Sequence, residues 1–408
     1  MRALSRQRAL SRFTTALRAE HGPGPVVVAT IVVFVLFALA APDTFPTSAN
    51  MRSIGFQMPE TALLGLGVML SMVVAGIDLS VVAIADLAGV AMVKYYTSAG
   101  VSDPDHYSFG VVAVGIVIAL AFGAVCGLIN GFIIGKLGIT AILATLATME
   151  LFGGFALAWT GGHAQLAVPT QILDLGNNSP LGIPLVAIIF VICAIIAAVL
   201  LNGSRFGIRA ILVGANPRAA KLSGIRELRV QLGVYTASGV LASVAGIIFV
   251  ARTATATPDF GGSYVLLAVV IAVLAGVDPN GGFGTVLGVT LAAFILAMIQ
   301  SGFVALHYNQ FLYQAAQGVI LIIVLAANSI ARGSHRWRPR LRLRPAYGGA
   351  GVRERAAKTV AGEDAAQHVD SGTAPDVDQP SSDGGGTGTA GVQGESHAAD
   401  PHGREDGA

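Results

Sequence analysis

From Thr253 to Ala331 the chain carries no lysine and no arginine. So long a run of mostly Leu, Ile, Val, Ala and Gly has no charged face to offer water. In lipid the backbone must satisfy its own hydrogen bonds, so the run is expected to fold as helices that cross a bilayer. The remainder has the same character. Of 408 residues 54% are hydrophobic and 12% charged, and the mean hydropathy is +0.70, which excludes an ordinary soluble domain. The 51 glycines suit close helix–helix approach in lipid, where small residues let backbones meet. Cys126 and Cys193 lie in apolar runs with neither metal-ligand spacing nor a disulfide role, and read as packing residues.

Taking roughly 20 apolar residues per span, we place about ten spans near 26–41, 58–76, 79–96, 110–135, 139–160, 184–202, 230–250, 264–277, 284–305 and 310–329. The first follows a basic segment and contains Ala38-Leu-Ala40, which mimics a cleavage site. That basic segment is long and the rest is polytopic, so an uncleaved span is the reading. The expected fold is an all-α polytopic membrane protein.

Basic residues orient it. Arg2, Arg6, Arg8, Arg12 and Arg18 precede the first span, and Arg205, Arg209, Arg218, Lys221, Arg226 and Arg229 lie between the sixth and seventh. Arg332, Arg336, Arg338, Arg340, Arg342 and Arg344 follow the last. Ten spans put all three groups on one side, which the positive-inside rule makes the cytoplasm. The opposite loops, 42–57, 97–108, 160–183 and 251–263, hold only Arg52 and Arg252 as cations. The organisation is then a cytoplasmic N-terminus (1–25), a transmembrane domain (26–331) with a cytoplasmic loop (203–229), and a cytoplasmic tail (332–408). Past Arg344 the tail is rich in Gly, Ala, Asp, Ser and Pro and is expected to be disordered.

Two short matches hint at duplication: Phe122-Gly-Ala-Val-Cys-Gly127 with Phe283-Gly-Thr-Val-Leu-Gly288, and Leu87-Ala-Gly-Val90 with Leu274-Ala-Gly-Val277. Both pair spans three and four with spans eight and nine. An odd offset of five implies an inverted five-helix repeat, a transporter architecture.

The basic loop contains a short capped helix. Asn216 suits the N-cap, Pro217 the first helical position, and Gly224 the left-handed position past the end. Between them lie Arg218, Ala219, Ala220, Lys221, Leu222 and Ser223, making a rod of roughly 10 Å. It reads either as a handle for a soluble partner or as a solvated loop with a helical turn.

No catalytic set is visible. There is no His-Glu-x-x-His motif, the histidines are scattered, and Gly135-Lys136 lacks the rest of a phosphate loop. The chain is therefore expected to be no enzyme, to hold no metal or cofactor, and to bind no ATP itself. Polar groups within spans are the candidates, since burying them in lipid is costly. They are Asp78, Asp86, Asn130, Thr140, Thr145, Thr148, Glu150, Gln300, Gln314 and Gln317. Thr145 and Thr148 share one helix face. Any single Thr or Gln reads first as a bond to a neighbouring helix or to its own backbone. Asp78, at a Gly-flanked break, reads as a cap for the third span ahead of a substrate contact. Glu150 is either neutral or faces a wet cavity.

At four segments the chain resembles the membrane permease of sugar-importing ABC systems of the ribose, xylose and galactose type. They are Gly76-Ile-Asp-Leu-Ser80, Asn130-Gly131 with Ala144-Thr-Leu-Ala-Thr-Met149, Gly214-Ala-Asn-Pro-Arg-Ala-Ala-Lys-Leu-Ser-Gly-Ile225, and Gly281-Gly-Phe-Gly-Thr-Val-Leu-Gly288. The resemblance implies a second permease subunit, identical or paralogous, a cytoplasmic ATPase that binds the ATP, and an extracytoplasmic sugar-binding protein, with no nucleic acid. It places the ATPase-coupling helix on Asn216–Gly224 and the protein in the inner (plasma) membrane, carrying a pentose or hexose. Val82, Gly153 and Phe283 depart from the family pattern, which leaves the sugar open. A branched-chain amino-acid permease is the nearest alternative, and a secondary transporter with inverted repeats the next. The latter needs no capped cytoplasmic rod and usually carries more acids in its spans.

Overall fold

The computed structural model describes residues 24–99, 107–259, 261–309 and 311–320, together with 322, 323 and 326. The chain divides after Arg338, and the second unit, Pro339–Ala408, lies outside the described residues. So do all five N-terminal arginines, the end of the tenth expected span and the tail.

The helices are α1 (Gly24–Ala40), α2 (Ser48–Val73), α3 (Val81–Ser98), α4 (Phe109–Leu137), α5 (Ala141–Thr160), α6 (Thr170–Asn177), α7 (Leu185–Asn202), α8 (Arg205–Ala215), α9 (Pro217–Leu222), α10 (Glu227–Thr253), α11 (Gly262–Leu274) and α12 (Val286–Ala305). Residues 311–320 are also helical. Among the described residues the sole β-bridge pairs Gln165 with Ala256. Among the described residues seven helices are long and apolar enough to cross a membrane, namely α2, α3, α4, α5, α7, α10 and α12, and α1 and α11 are shorter apolar helices.

Side-chain hydroxyls fix several helix starts. Thr47, Ser108, Ser204 and Thr285 each accept a first-turn N–H, from Asn50, Val111, Gly207 and Gly288. The second span begins ten residues before its expected limit, so Arg52 sits in α2 rather than in a loop. Hydropathy missed those turns because Ser48–Gln57 is mixed in polarity, and Pro59 inside the helix looks like a breaker.

α10 is the central rod. Gly123, Gly127, Gly131 and Gly135 form an i, i+4 ridge on α4 that meets Gly239, Tyr235, Leu232 and Leu228 in turn, so α4 runs antiparallel to α10. Backbone meets backbone there: a Cβ at Gly127 would lie well inside van der Waals contact distance of the Tyr235 carbonyl oxygen. α3 runs parallel to α10, with Ala85 against Gly246 and Gly89 against Val250. Dispersion between closely packed small residues is what associates such helices in lipid.

The two sequence matches offered as duplication fall at unlike places. Leu87–Val90 is mid-helix in α3, whereas Leu274–Val277 spans the end of α11, so that pair lends an inverted repeat no support. A different likeness stands out in three dimensions. Ala75-Gly-Ile-Asp78 and Ala275-Gly-Val-Asp278 both follow the ends of helices, and Gly281 of the second turn packs on Ala75 of the first.

Candidate functional site

The break between α2 and α3 is a buried polar junction. Ser71 ends α2 by donating its hydroxyl to Val68 O at 2.8 Å and accepting from the Asp78 N–H at 3.0 Å. Ala75 takes a left-handed φ of 62°, which turns the chain back on itself. Asp78 has no exposure at all. Its Oδ1 accepts from Ser80 N at 3.1 Å and Ser80 Oγ at 2.7 Å, and its Oδ2 accepts from Ser238 Oγ of α10 at 3.0 Å. Asn130 of α4 donates from Nδ2 to Ser80 Oγ at 2.7 Å. The Thr145 hydroxyl of α5 lies 3.0 Å from Ile77 O and 2.8 Å from its own helix's Ala141 O. Four helices are thus tied at one point in the apolar interior.

Asp78, Asn130 and Thr145 therefore come together, with Thr148 one turn along α5, its hydroxyl 3.3 Å from Thr145 O. Asp78 holds Ser80, the residue just before α3, rather than the first turn of that helix. Glu150 does not join them; it is exposed on the face of α5 turned away from the bundle. Asp86 accepts from Gly261 N at 3.1 Å and ties α3 to the start of α11. Tyr235 and Asn130 bring two buried polar atoms, the phenol oxygen and Oδ1, that lack a protein partner. Ser71, Ser238 and Tyr235 were not among the sequence candidates. Among the described residues no group of three His, Cys, Asp or Glu side chains converges.

A buried ion pair was also missed. Arg252 in the last turn of α10 reaches Glu60 of α2, Nη1 to Oε2 at 2.8 Å, and Glu60 is 7% exposed. Removing one partner of such a pair strands the other, at a cost of about 3–5 kcal/mol. Arg252→Met is expected to lower the melting temperature in detergent sharply, and Glu60→Leu/Arg252→Met to regain most of it. Equal loss in single and double variants would show that the charge pair is not what matters.

At the Asp78 end of the bundle sit α8 and α9. Asn216 Oδ1 accepts from Ala219 N at 3.0 Å, and Pro217 opens α9. Ser223 Oγ donates to Ala219 O at 3.0 Å, and Gly224 follows at φ 78°. The rod is six residues, Pro217–Leu222, with Ser223 as its C-cap. Of these only Ala220 is buried, and Leu222 is 91% exposed. The unit is seated by backbone. Gly214 at the end of α8 packs on Val73 O, and Val73 O accepts from Gly282 N at 2.9 Å. A displacement of α8 therefore bears directly on the end of α2, five residues before Asp78.

The family model described as branched-chain amino acid transport system / permease component matches residues 50–325. The chain belongs to this permease family. The permease is 33% identical over 226 residues to the autoinducer 2 import system permease protein LsrD of Salmonella paratyphi B, covering 54% of this chain and 68% of that protein. It is 30% identical over 307 residues to the ribose import permease protein RbsC of Escherichia coli K12, covering 74% and 92%. The resemblance drawn from the four motifs holds: these relatives are import permeases and not enzymes. Gly153, a position of departure, faces open space on α5, and Val82, another, is buried on α3.

Proposed function

We propose that this permease forms the transmembrane pathway of an ABC importer for a pentose or hexose, working with a second permease subunit. An extracytoplasmic binding protein delivers the sugar, and a separate ATPase that grips α9 supplies the energy. The observation that carries this reading is the α8–α9 unit. It is capped at both ends, exposed along α9, and joined backbone-to-backbone to the end of α2. A rigid handle transmits displacement, whereas a solvated loop would absorb it. ATP-driven closure of the motor then tilts α8 against Val73 and Gly282 and opens the pathway to alternate sides of the membrane.

The ten crossings are α1 to α5, α7, α10 to α12 and the helix that includes residues 311–320. With the basic residues as listed from the sequence, α8, α9 and both termini face the cytoplasm. Sugar is favoured over amino acid because the ribose import permease aligns over most of its own length. Asp78, Asn130, Thr145 and Thr148 hold helices together. Glu150 is left for the pathway or the second subunit, because a carboxylate facing acyl chains costs roughly 3 kcal/mol.

Asn216→Ala with Gly224→Val removes the N-cap and strains the left-handed exit. The double variant is expected to insert and purify normally yet to lose ATP-dependent uptake of radiolabelled sugar in proteoliposomes holding all partners. Normal uptake by it would end the coupling role, and uptake of leucine in place of ribose or xylose would end the sugar assignment.

A further inference from the structure

The corner between α8, α9 and α10 holds an open cleft of about 420 Å³ lined by three arginines, Arg209, Arg226 and Arg229, each of them exposed. That is within the roughly 300–1,000 Å³ of small-ligand sites. Phe206 and Val230 form an apolar wall and Ser223 part of the rim. Among the described residues no carboxylate pairs with any of these arginines; the ion pair present lies elsewhere, between Arg252 and Glu60. Three cations without a carboxylate partner give the cleft a positive potential that favours an anion. The start of α10 adds to the field. Arg226 is its N-cap and Arg229 lies in its first turn, so the positive end of a 27-residue helix lies beside the same space. Glu227 is the one acid in that turn, and it points to solvent.

The surface beside the cavity indicates where the anion comes from. On the outer stripe of α8, Ile208 is 56% and Leu212 47% exposed, interleaved with exposed Arg205 and Arg209. Apolar residues alternating with arginines along one helix face belong at the boundary between acyl chains and headgroups. A soluble anion would make no use of Ile208 and Leu212; an amphiphile uses both surfaces at once. Guanidinium groups match phosphate oxygens with paired N–H donors, and basic pockets between membrane helices take anionic headgroups. We propose that this cavity binds the phosphate headgroup of an anionic phospholipid, with its chains lying against Ile208 and Leu212. Bound there, the lipid braces the base of α9 against the membrane plane. The proposal shares with the transport reading only the membrane placement, and its test uses neither nucleotide nor sugar, so either can fail alone.

The test counts phosphatidylglycerol retained by the full-length protein in neutral detergent, using native mass spectrometry. The variant Arg209→Gln/Arg226→Gln/Arg229→Gln is compared with Arg205→Gln/Arg218→Gln/Lys221→Gln, which removes the same charge outside the cavity. The cavity variant is expected to bind about tenfold more weakly or worse, and the control to change less than about twofold. Should the triple variant fail to give a monodisperse peak, Arg226→Gln alone, an exposed position, is expected to show a smaller loss in the same direction. Equal losses in the two triple variants would mean diffuse attraction, and no loss in either would mean no site; both outcomes overturn the proposal. Millimolar inorganic phosphate is expected to compete with the lipid. Phosphate bound with no lipid retained overturns the lipid source. Lipid retained by the cavity variant while a soluble partner no longer co-purifies overturns it in favour of a protein contact.

Discussion

Gly127→Val is expected to abolish recoverable folded protein. The α4–α10 contact has no slack there: the substituent's first carbon would overlap the Tyr235 carbonyl, with Tyr235 C at 2.8 Å and Thr236 Cα at 3.0 Å. These are backbone atoms of a buried helix, so no rotamer change relieves the overlap. The helices must part along the ridge, since Gly123 and Gly131 make the same close approach to backbone atoms of α10. Overpacking that a side chain can absorb costs about 1–3 kcal/mol; displacing two central helices exceeds the roughly 4–5 kcal/mol that marks exceptional variants. Fluorescence-detected size exclusion of a tagged chain in mild detergent should show aggregate in place of the wild-type peak. Gly153→Val is the control. Its Cβ meets nothing within 4 Å, so the same residue change in a neighbouring membrane helix should leave the peak intact. A wild-type profile for Gly127→Val would mean that α4 and α10 do not pack as described.

The contrast between those glycines marks the limit of what the sequence discloses. Richness in glycine announces close helix packing, and the i, i+4 ridge is visible once α4 is assigned. Which helix it meets is not visible, because Gly239 is more than a hundred residues away and nothing local distinguishes it. The rod at Pro217–Leu222 was legible because caps are local chemistry: Asn216, Pro217 and Gly224 each act within a turn of themselves. The Glu60–Arg252 pair was not. Glu60 sits at the edge of an apolar run, and Arg252, at the opposite end of the interval between them, looks like an ordinary loop cation. Hydropathy located the apolar helices from α1 to α12 within a few residues except at α2. There the expected limit marks where apolar character begins, whereas the helix begins where Thr47 caps it. Asp78 was assigned to the break, but its anchor on α10, Ser238, is 160 positions on. A serine in a membrane helix carries no mark of its partner.

That anchor makes Asp78 the most consequential side chain in the junction, and the effect of replacing it can be apportioned. Asp78→Leu removes the acceptor for three buried donors, Ser80 N–H, Ser80 O–H and Ser238 O–H. A hydroxyl can turn back to a carbonyl of its own helix, so the two serines recover part of the loss. The Ser80 N–H has no such freedom. At about 1–3 kcal/mol for each donor left stranded, a net loss of about 3–5 kcal/mol is expected, read as a large drop in thermal stability in detergent. Asp78→Asn keeps one carbonyl oxygen for both Ser80 donors and presents an amide N–H₂ to Ser238, whose hydroxyl then accepts and redirects its proton. Its loss should be about 1 kcal/mol. Ser238→Ala should be destabilising in both backgrounds, by about 1–3 kcal/mol, because it strands a carboxyl oxygen in the wild type and the amide N–H₂ in the Asn variant. If Asp78→Leu proves as stable as wild type while uptake disappears, the carboxyl group acts on the solute and the structural role assigned to it here is wrong. Loss of stability graded from Leu to Asn, with uptake following the amount of folded protein, identifies Asp78 as the tie that lets a break in the membrane interior persist.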